Sequence, residues 1–168
     1  DKTVGHGMTA LQDLEDDAEV WKFILELCQD IGHRLYVFNK KATGIAIAVR
    51  DNELFTKQWQ CGIPVPTQSP STIAKEAFSL FLRSYDWKRP IRSLTVRAIN
   101  LTSLDTPCQL DMFSDPEKVA RAEVLDKTIE ELRHRYGKKI IRNACLLDNK
   151  KMSAEGNPNI IMPTGVPM

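Results

Sequence analysis

Catalysis and metal binding need reactive side chains brought together, and here those residue types are scattered. Cys28, Cys61, Cys108 and Cys145 form no C-x-x-C pair, and His6, His33 and His134 are equally dispersed. Structural zinc needs closer ligand spacing, and a disulfide framework needs a denser cysteine pattern. The thiols are therefore expected to be reduced, as in a cytoplasmic protein. Asp16 and Asp17 read as acids at a helix start, where the helix dipole favours them, rather than as metal ligands. The stretch with binding chemistry is TPCQLDMFSDPEK, residues 106–118. Gln109 can hydrogen-bond in both directions through its amide. Leu110, Met112 and Phe113 can fill a preformed apolar pocket from an extended segment, leaving Asp111 to solvent. The same side chains can also pack on the domain's own helix, so docking peptide and core segment both fit.

The chain has 168 residues, 42% hydrophobic and 27% charged, enough for one domain with a real core. No apolar run approaches the length of a membrane span, and no signal-peptide pattern opens the sequence. The first residue is Asp, so a fragment or processed chain is expected. Net charge is +1, yet the charge is polarised. Asp13, Glu15, Asp16, Asp17 and Glu19 cluster without a base, whereas Arg83, Lys88, Arg89, Arg92 and Arg97 face only Asp86 over residues 83–97. A basic face opposite an acidic one would have this distribution.

Periodicity supplies the elements that must position these residues. KTVGHGMT (2–9) reads as a strand, followed by a helix capped by Asp16 or Asp17, with Val20, Ile24, Leu27, Ile31 and Leu35 on its buried face. TGIAIAVRD alternates Ile45, Ile47 and Val49 against Ala46, Ala48 and Arg50, and pairs with LFTKQWQCG as a hairpin over 44–61. IPVPTQSPS, with three prolines, reads as a loop. Ser69-Pro70 predicts a helix start, and Ile73, Ala77, Phe81 and Tyr85 form its stripe. IRSLTVRAINL is a strand with Leu94, Val96 and Ala98 on one face and Ser93, Thr95 and Arg97 on the other. Asp115-Pro116 opens a helix that Gly137 stops, with Ala122, Leu125, Ile129, Leu132 and Tyr136 along one side. IIRNACLL reads as a short final strand, and residues 149–168 as a flexible tail. The predicted fold is α+β: a βαββαβ four-stranded sheet with two helices on one face, then a C-terminal helix and short strand. Such a sheet leaves one face free, and the free face carries Thr95 and Arg97, suited to a nucleic-acid backbone.

KTVGHGMT, the hairpin GIAIAVRDNELFTKQWQCGIPVPT, the helix after SPS, and WKRPIRSLTVRAINL, in this order, resemble the C-terminal little finger domain of Y-family translesion DNA polymerases. LDKTIEELRHRYGKKIIRNACLL is similar to the stretch that closes the bacterial DinB/UmuC-like (ImpB/MucB/SamB) members. The resemblance covers roughly residues 1–147 and implies four regions. These are a DNA-binding little finger over 1–105, a linker motif over 106–114, a helix-strand extension over 115–148, and the tail over 149–168. QLDMF, Gln109 to Phe113, resembles the Q-L-x-L-F peptide by which bacterial DNA polymerases dock on the β sliding clamp. Met112 stands where Leu is usual, a volume-conserving change.

The resemblance also implies partners and roles. The partners would be primer-template DNA, gripped by its backbone, and the β clamp, with no membrane. The first strand would offer Lys2 and backbone amides near Thr3, Val4, Gly5 and His6. The third would offer Thr56, Lys57 and Gln58, and the fourth Arg92, Ser93, Thr95 and Arg97, with Lys57, Arg92 and Arg97 grouped on one sheet face. Phosphate contacts carry no base information, as a polymerase acting in DNA repair and the SOS response requires. Nucleotidyl transfer with Mg2+ would belong to a palm domain of the parent protein, so this segment is not expected to be an enzyme. Two other readings remain at this level: an RNA-binding βαββαβ module, and a protein-interaction domain. RNA readers of this architecture expose aromatics on central strands. Here Trp59 is the one sheet-facing aromatic candidate, read first as a partly buried aromatic at the sheet end and alternatively as a stacking platform.

Overall fold

The structure is a computed structural model that describes residues 3–104, 116–137, 140–147 and 151–152, with backbone alone at 116–120. The chain runs β1 (Thr3–Leu14), α1 (Asp17–Val37), β2 (Lys40–Asp51), β3 (Thr56–Thr67), α2 (Pro70–Ser84), β4 (Ile91–Ser103) and α3 (Pro116–Tyr136), then a 3-10 turn at Ala144–Leu146. The strands form one antiparallel sheet in the order β1-β4-β2-β3. Helix α1 packs chiefly against β1 and β4, and α2 against β2 and β3. The sequence therefore predicts the βαββαβ order and the one-sided helix layer correctly.

Local chemistry explains the helix starts. The Asp16 carboxylate accepts the Glu19 N–H at 2.8 Å, and Glu19 reaches back to the Glu15 N–H at 2.8 Å. The Glu19 amide, one of those left unpaired at the start of α1, is so satisfied, and the Glu15 N–H just before the helix is paired as well. Ser69 caps α2, and Pro70 follows where its missing N–H costs nothing. Val20, Phe23, Ile24, Leu27, Cys28, Ile31 and Leu35 of α1 meet Ile73, Ala74, Ala77 and Phe81 of α2 over Ile45, Ile47, Leu94, Val96 and Ala98 of the sheet. The two helices approach closely at Gly32, where a Cβ would stand 2.4 Å from Pro70 Cγ. Burial in this core pushes the Cys28 thiol pKa far up, so Cys28 acts as an apolar filler. Phe81 stacks on Phe78 and Tyr85 and meets Trp87 edge-on, tying the end of α2 to the following loop.

Four expectations need correction. Strand β1 extends past Thr9 to Leu14 through a register irregularity, so Ala10 and Leu14 reach the core four residues apart. The proline-containing stretch 63–67 belongs to β3. It is an edge strand whose pairing with β2 is irregular between Ala42 and Gly44, which leaves room for Pro64 and Pro66. IIRNACLL forms no strand. Ala144–Leu146 is a 3-10 turn in which Leu146 alone is buried, and a short apolar run does not separate these outcomes by periodicity. Helix α3 spans the predicted residues and ends at Gly137, φ +98°. Its apolar residues Val124, Leu125 and Tyr136 are nevertheless exposed.

Helix α3 is held instead by polar groups. Glu130, 5% exposed, receives His33 Nδ1 at 2.7 Å and Arg133 Nη1 at 3.2 Å. Arg133 also donates to Gln29 Oε1 at 2.6 Å and to the Ile141 carbonyl at 3.0 Å. Further on, Lys151 pairs with Glu19 at 2.7 Å, an interaction that raises its pKa, and Met152 packs against the core.

Phe81→Ala should cost about 3–5 kcal/mol in urea unfolding, because it deletes a buried ring and leaves a cavity. Leu82→Ala, next to it and half-exposed, should cost less than about 1 kcal/mol in the same assay. Glu130→Leu leaves Arg133 without its acid, so amide exchange across residues 121–136 should rise while exchange in β2 and β4 stays slow.

Candidate nucleic-acid interface

Cross-strand register fixes what the uncovered sheet face presents. Val96 of β4 lies opposite Ile47 of β2, and both turn under the helices. Arg97 then lies opposite Ala46, Thr95 opposite Ala48, and Ser93 opposite Arg50, all on the open side. Pairing extends this face to Gly5 and Gly7 on β1, which oppose Arg97 and Thr95, and to Thr56, Gln58 and Gln60 on β3. No acidic and no aromatic side chain occurs among these residues, and two arginines, Arg50 and Arg97, do.

The glycines are sterically required. A Cβ on Gly5 would stand 2.5 Å from Arg97 Cγ, and one on Gly7 would stand 2.4 Å from Thr95 Oγ1. With Gly5 on one side and Ala46 on the other, the Arg97 stem lies down on the strands. Its Nε is buried and has no hydrogen-bond acceptor among the described residues. The β4 side chains thus form the raised row of an otherwise low surface. On β1 the exposed Gly7 leaves the backbone approachable, whereas Ala46 of β2 is covered.

The other sequence candidates are placed less uniformly. Thr3 lies on the open face, but Val4 and His6 turn towards the helices, where His6 Nδ1 is 3.3 Å from Asp30 Oδ2. Only their backbone groups remain as candidates, on an edge strand whose outer side β4 does not pair. Lys57 opposes Val49 and Trp59 opposes Ile47, so both belong to the helix side of the sheet. Trp59 meets Tyr85 edge-on at 6.3 Å and packs against the core. It is a partly buried aromatic at the edge of the core. Lys57 stands near Asp86, whose carboxyl is held below the usual range by a hydrogen bond from Lys88, with a smaller contribution from Lys57. Arg92 sits at the β4 margin, 3.5 Å from Asp13. The expected grouping of Lys57, Arg92 and Arg97 on one sheet face therefore does not form. The alternation phase of β3 follows from its pairing with β2, which the isolated strand does not encode. Arg50 and Gln60 are additional members of the open face, and the Ala46-Ala48-Arg50 alternation already carried the signal for Arg50. Lys2 and the segment Gln109, Leu110, Asp111, Met112 and Phe113 lie outside the described residues.

Among the described residues no group of three or more His, Cys, Asp or Glu side chains is arranged to hold a metal. Asp16 is used as a helix cap, and Asp17 accepts the Trp87 indole N–H at 2.7 Å. Among the described residues these acids do not form a two-metal centre. No helix among the described residues is long and apolar enough to cross a membrane.

Comparison with known proteins gives several matches. DNA polymerase IV of Acetivibrio thermocellus is 34% identical over 152 residues, which cover 90% of this chain and 38% of that protein. DNA polymerase IV of Clostridium acetobutylicum is 29% identical over 150 residues, covering 89% of this chain and 37% of that protein. The chain thus spans well under half the length of either relative. A solved complex of the beta-clamp processivity factor and the little finger domain of PolIV aligns with TM-score 0.47 at 15% identity, over 67% of this chain and 99% of that one. The family model for the impB/mucB/samB family C-terminal domain matches residues 1–112 of the 168. That match takes in all four strands and both core helices, and this chain belongs to the impB/mucB/samB family through its C-terminal domain.

Proposed function

We propose that this chain is the DNA-backbone-binding and sliding-clamp-binding C-terminal domain of an error-prone translesion DNA polymerase that works in damage tolerance. The observation that carries the DNA reading is the acid-free open face, with Arg97 spread over Gly5 and Ala46. A phosphate arriving there would give the Arg97 guanidinium the acceptors it lacks. Thr3, Thr56, Gln58, Ser93 and Thr95 would add neutral hydrogen bonds to phosphate oxygens, and the β1 backbone could be reached directly. Lys57 and Arg92 would touch phosphates only where the DNA passes the margin of the sheet. Contacts of this kind position a duplex without reading its sequence.

The absence of an aromatic from the described open face weighs against an RNA-stacking module, because base platforms need an exposed ring. The clamp reading rests on Gln109 to Phe113. That peptide would keep a weakly binding polymerase near its primer by raising its local concentration. Nucleotidyl transfer, with its Mg2+, would belong to the palm of the parent protein.

Duplex DNA of unrelated sequences should bind with similar affinity and weaken steeply as salt rises. Arg97→Ala should lower affinity for all of them and reduce the slope of log K against log salt by about 1. Salt-independent binding, or an unchanged slope in the variant, would refute the backbone reading. Separately, replacing Leu110, Met112 and Phe113 with Ala should abolish association with a bacterial β clamp while the thermal unfolding midpoint is kept. Loss of the fold in that variant would instead identify the segment as core.

A further inference from the structure

The helix layer carries a second surface, on the side of the domain away from the open sheet face. Helices α1 and α2 lie side by side, and a shallow groove runs between them on their outer side. Trp21 of α1 and Phe78 of α2 form its floor, with ring centroids 5.2 Å apart at 56°. Leu82, 50% exposed, continues the floor by one helical turn. Ala18 and Ser79 are short, and they open the space in front of the rings.

The rim is charged. Lys75 and Arg83 are exposed, and neither forms an ion pair among the described residues. They are eight residues apart on α2, about 12 Å along the helix. Asp17, the one acid lining the groove among the described residues, accepts the Trp87 indole N–H. An apolar floor flanked by two cations about two helical turns apart is the negative of an amphipathic helix with acidic flanks.

We propose that this groove docks a short acidic amphipathic helix of a protein partner. The partner's apolar anchors, spaced i, i+3, i+4 and i+7, lie on Trp21, Phe78 and Leu82, and its Asp or Glu residues pair with Lys75 and Arg83. Helix-in-groove recognition reads this spacing, and the occupant completes a third helix packed ridge into groove on two. The apolar floor favours a protein over a nucleic acid, whose phosphates would meet only the two rim cations. Because the groove and the open sheet face lie on opposite sides of the domain, both can be occupied at once, and the proposal stands independently of the DNA reading.

The test uses the full chain and a synthetic three-turn helical peptide with Leu at i, i+3, i+4 and i+7 and Glu at its remaining positions. The readout is the Trp21 indole N–H signal by NMR. The Glu/Leu peptide should shift it, and the same peptide with Ser for Leu should not. Leu82→Ser, or Lys75→Glu with Arg83→Glu, should weaken binding about tenfold or more. The charge-reversed variant should take up a Lys/Leu peptide in its place. An unmoved Trp21 signal, or equal response to Lys/Leu and Glu/Leu peptides on the native chain, overturns the proposal. So does a Trp21 shift produced by an oligonucleotide, or by raising the protein concentration alone. The Ser-for-Leu peptide probes the same contacts on the native chain and does not depend on how any variant folds.

Discussion

With Val96 set against Ile47 and Arg97 against Ala46, the two central strands decide what each face of the sheet does. Side chains alternate across a strand, so a slip of one residue would carry Arg97 under α1 and push Val96 into water. That slip would bury an unpaired charge and expose apolar surface together. The buried partners Ile45, Ile47, Val49, Leu94, Val96 and Ala98 therefore enforce the register. The Arg97 and Thr95 row of the open face follows from it without any separate device. Glycine at positions 5 and 7 belongs to the same constraint, because a larger residue there would collide with the side chains that the register delivers.

Much of this was legible in the sequence. Clean alternation in TGIAIAVRD and IRSLTVRAINL located both central strands and their buried faces. Asp16, Ser69-Pro70 and Gly137 marked helix boundaries through local hydrogen bonding and backbone preference, which need no tertiary context. What failed was whatever depends on a neighbour. From β3 alone Lys57 reads as an open-face residue and Trp59 as either core or platform, because the isolated strand does not reveal its phase relative to β2. Pro64 and Pro66 looked like loop residues because their tolerance depends on β3 lying at a sheet edge. Ile140 and Leu147 looked like strand residues, yet both are exposed beside a single buried leucine.

Helix α3 shows a different division of labour. Its attachment runs through Glu130, His33, Arg133 and Gln29 rather than through its apolar side chains. Buried charged groups contribute little net stability, because desolvation offsets their attraction, but they are exacting about geometry. A hydrophobic seam would allow α3 to slide or rotate with modest loss. This network accepts one position, in which Arg133 spans α1 and the carbonyl of Ile141 at the same time. The helix is thereby aligned by its polar contacts, while Val124 and Leu125 remain at the surface.

The two rims of the sheet have a bearing on how the domain behaves when many copies meet. An open sheet with two bare edges is a template for strand addition by any neighbour. Strand β3 carries Pro64 and Pro66, which lack the N–H groups a regular ladder uses. On the opposite border the Leu11 N–H of β1 is already taken by the Lys151 carbonyl at 2.9 Å. The surface that is paved with small residues and left uncovered is thus framed by borders that discourage further pairing. The domain can keep a broad, flat, accessible face without inviting other copies to extend its sheet into a fibril.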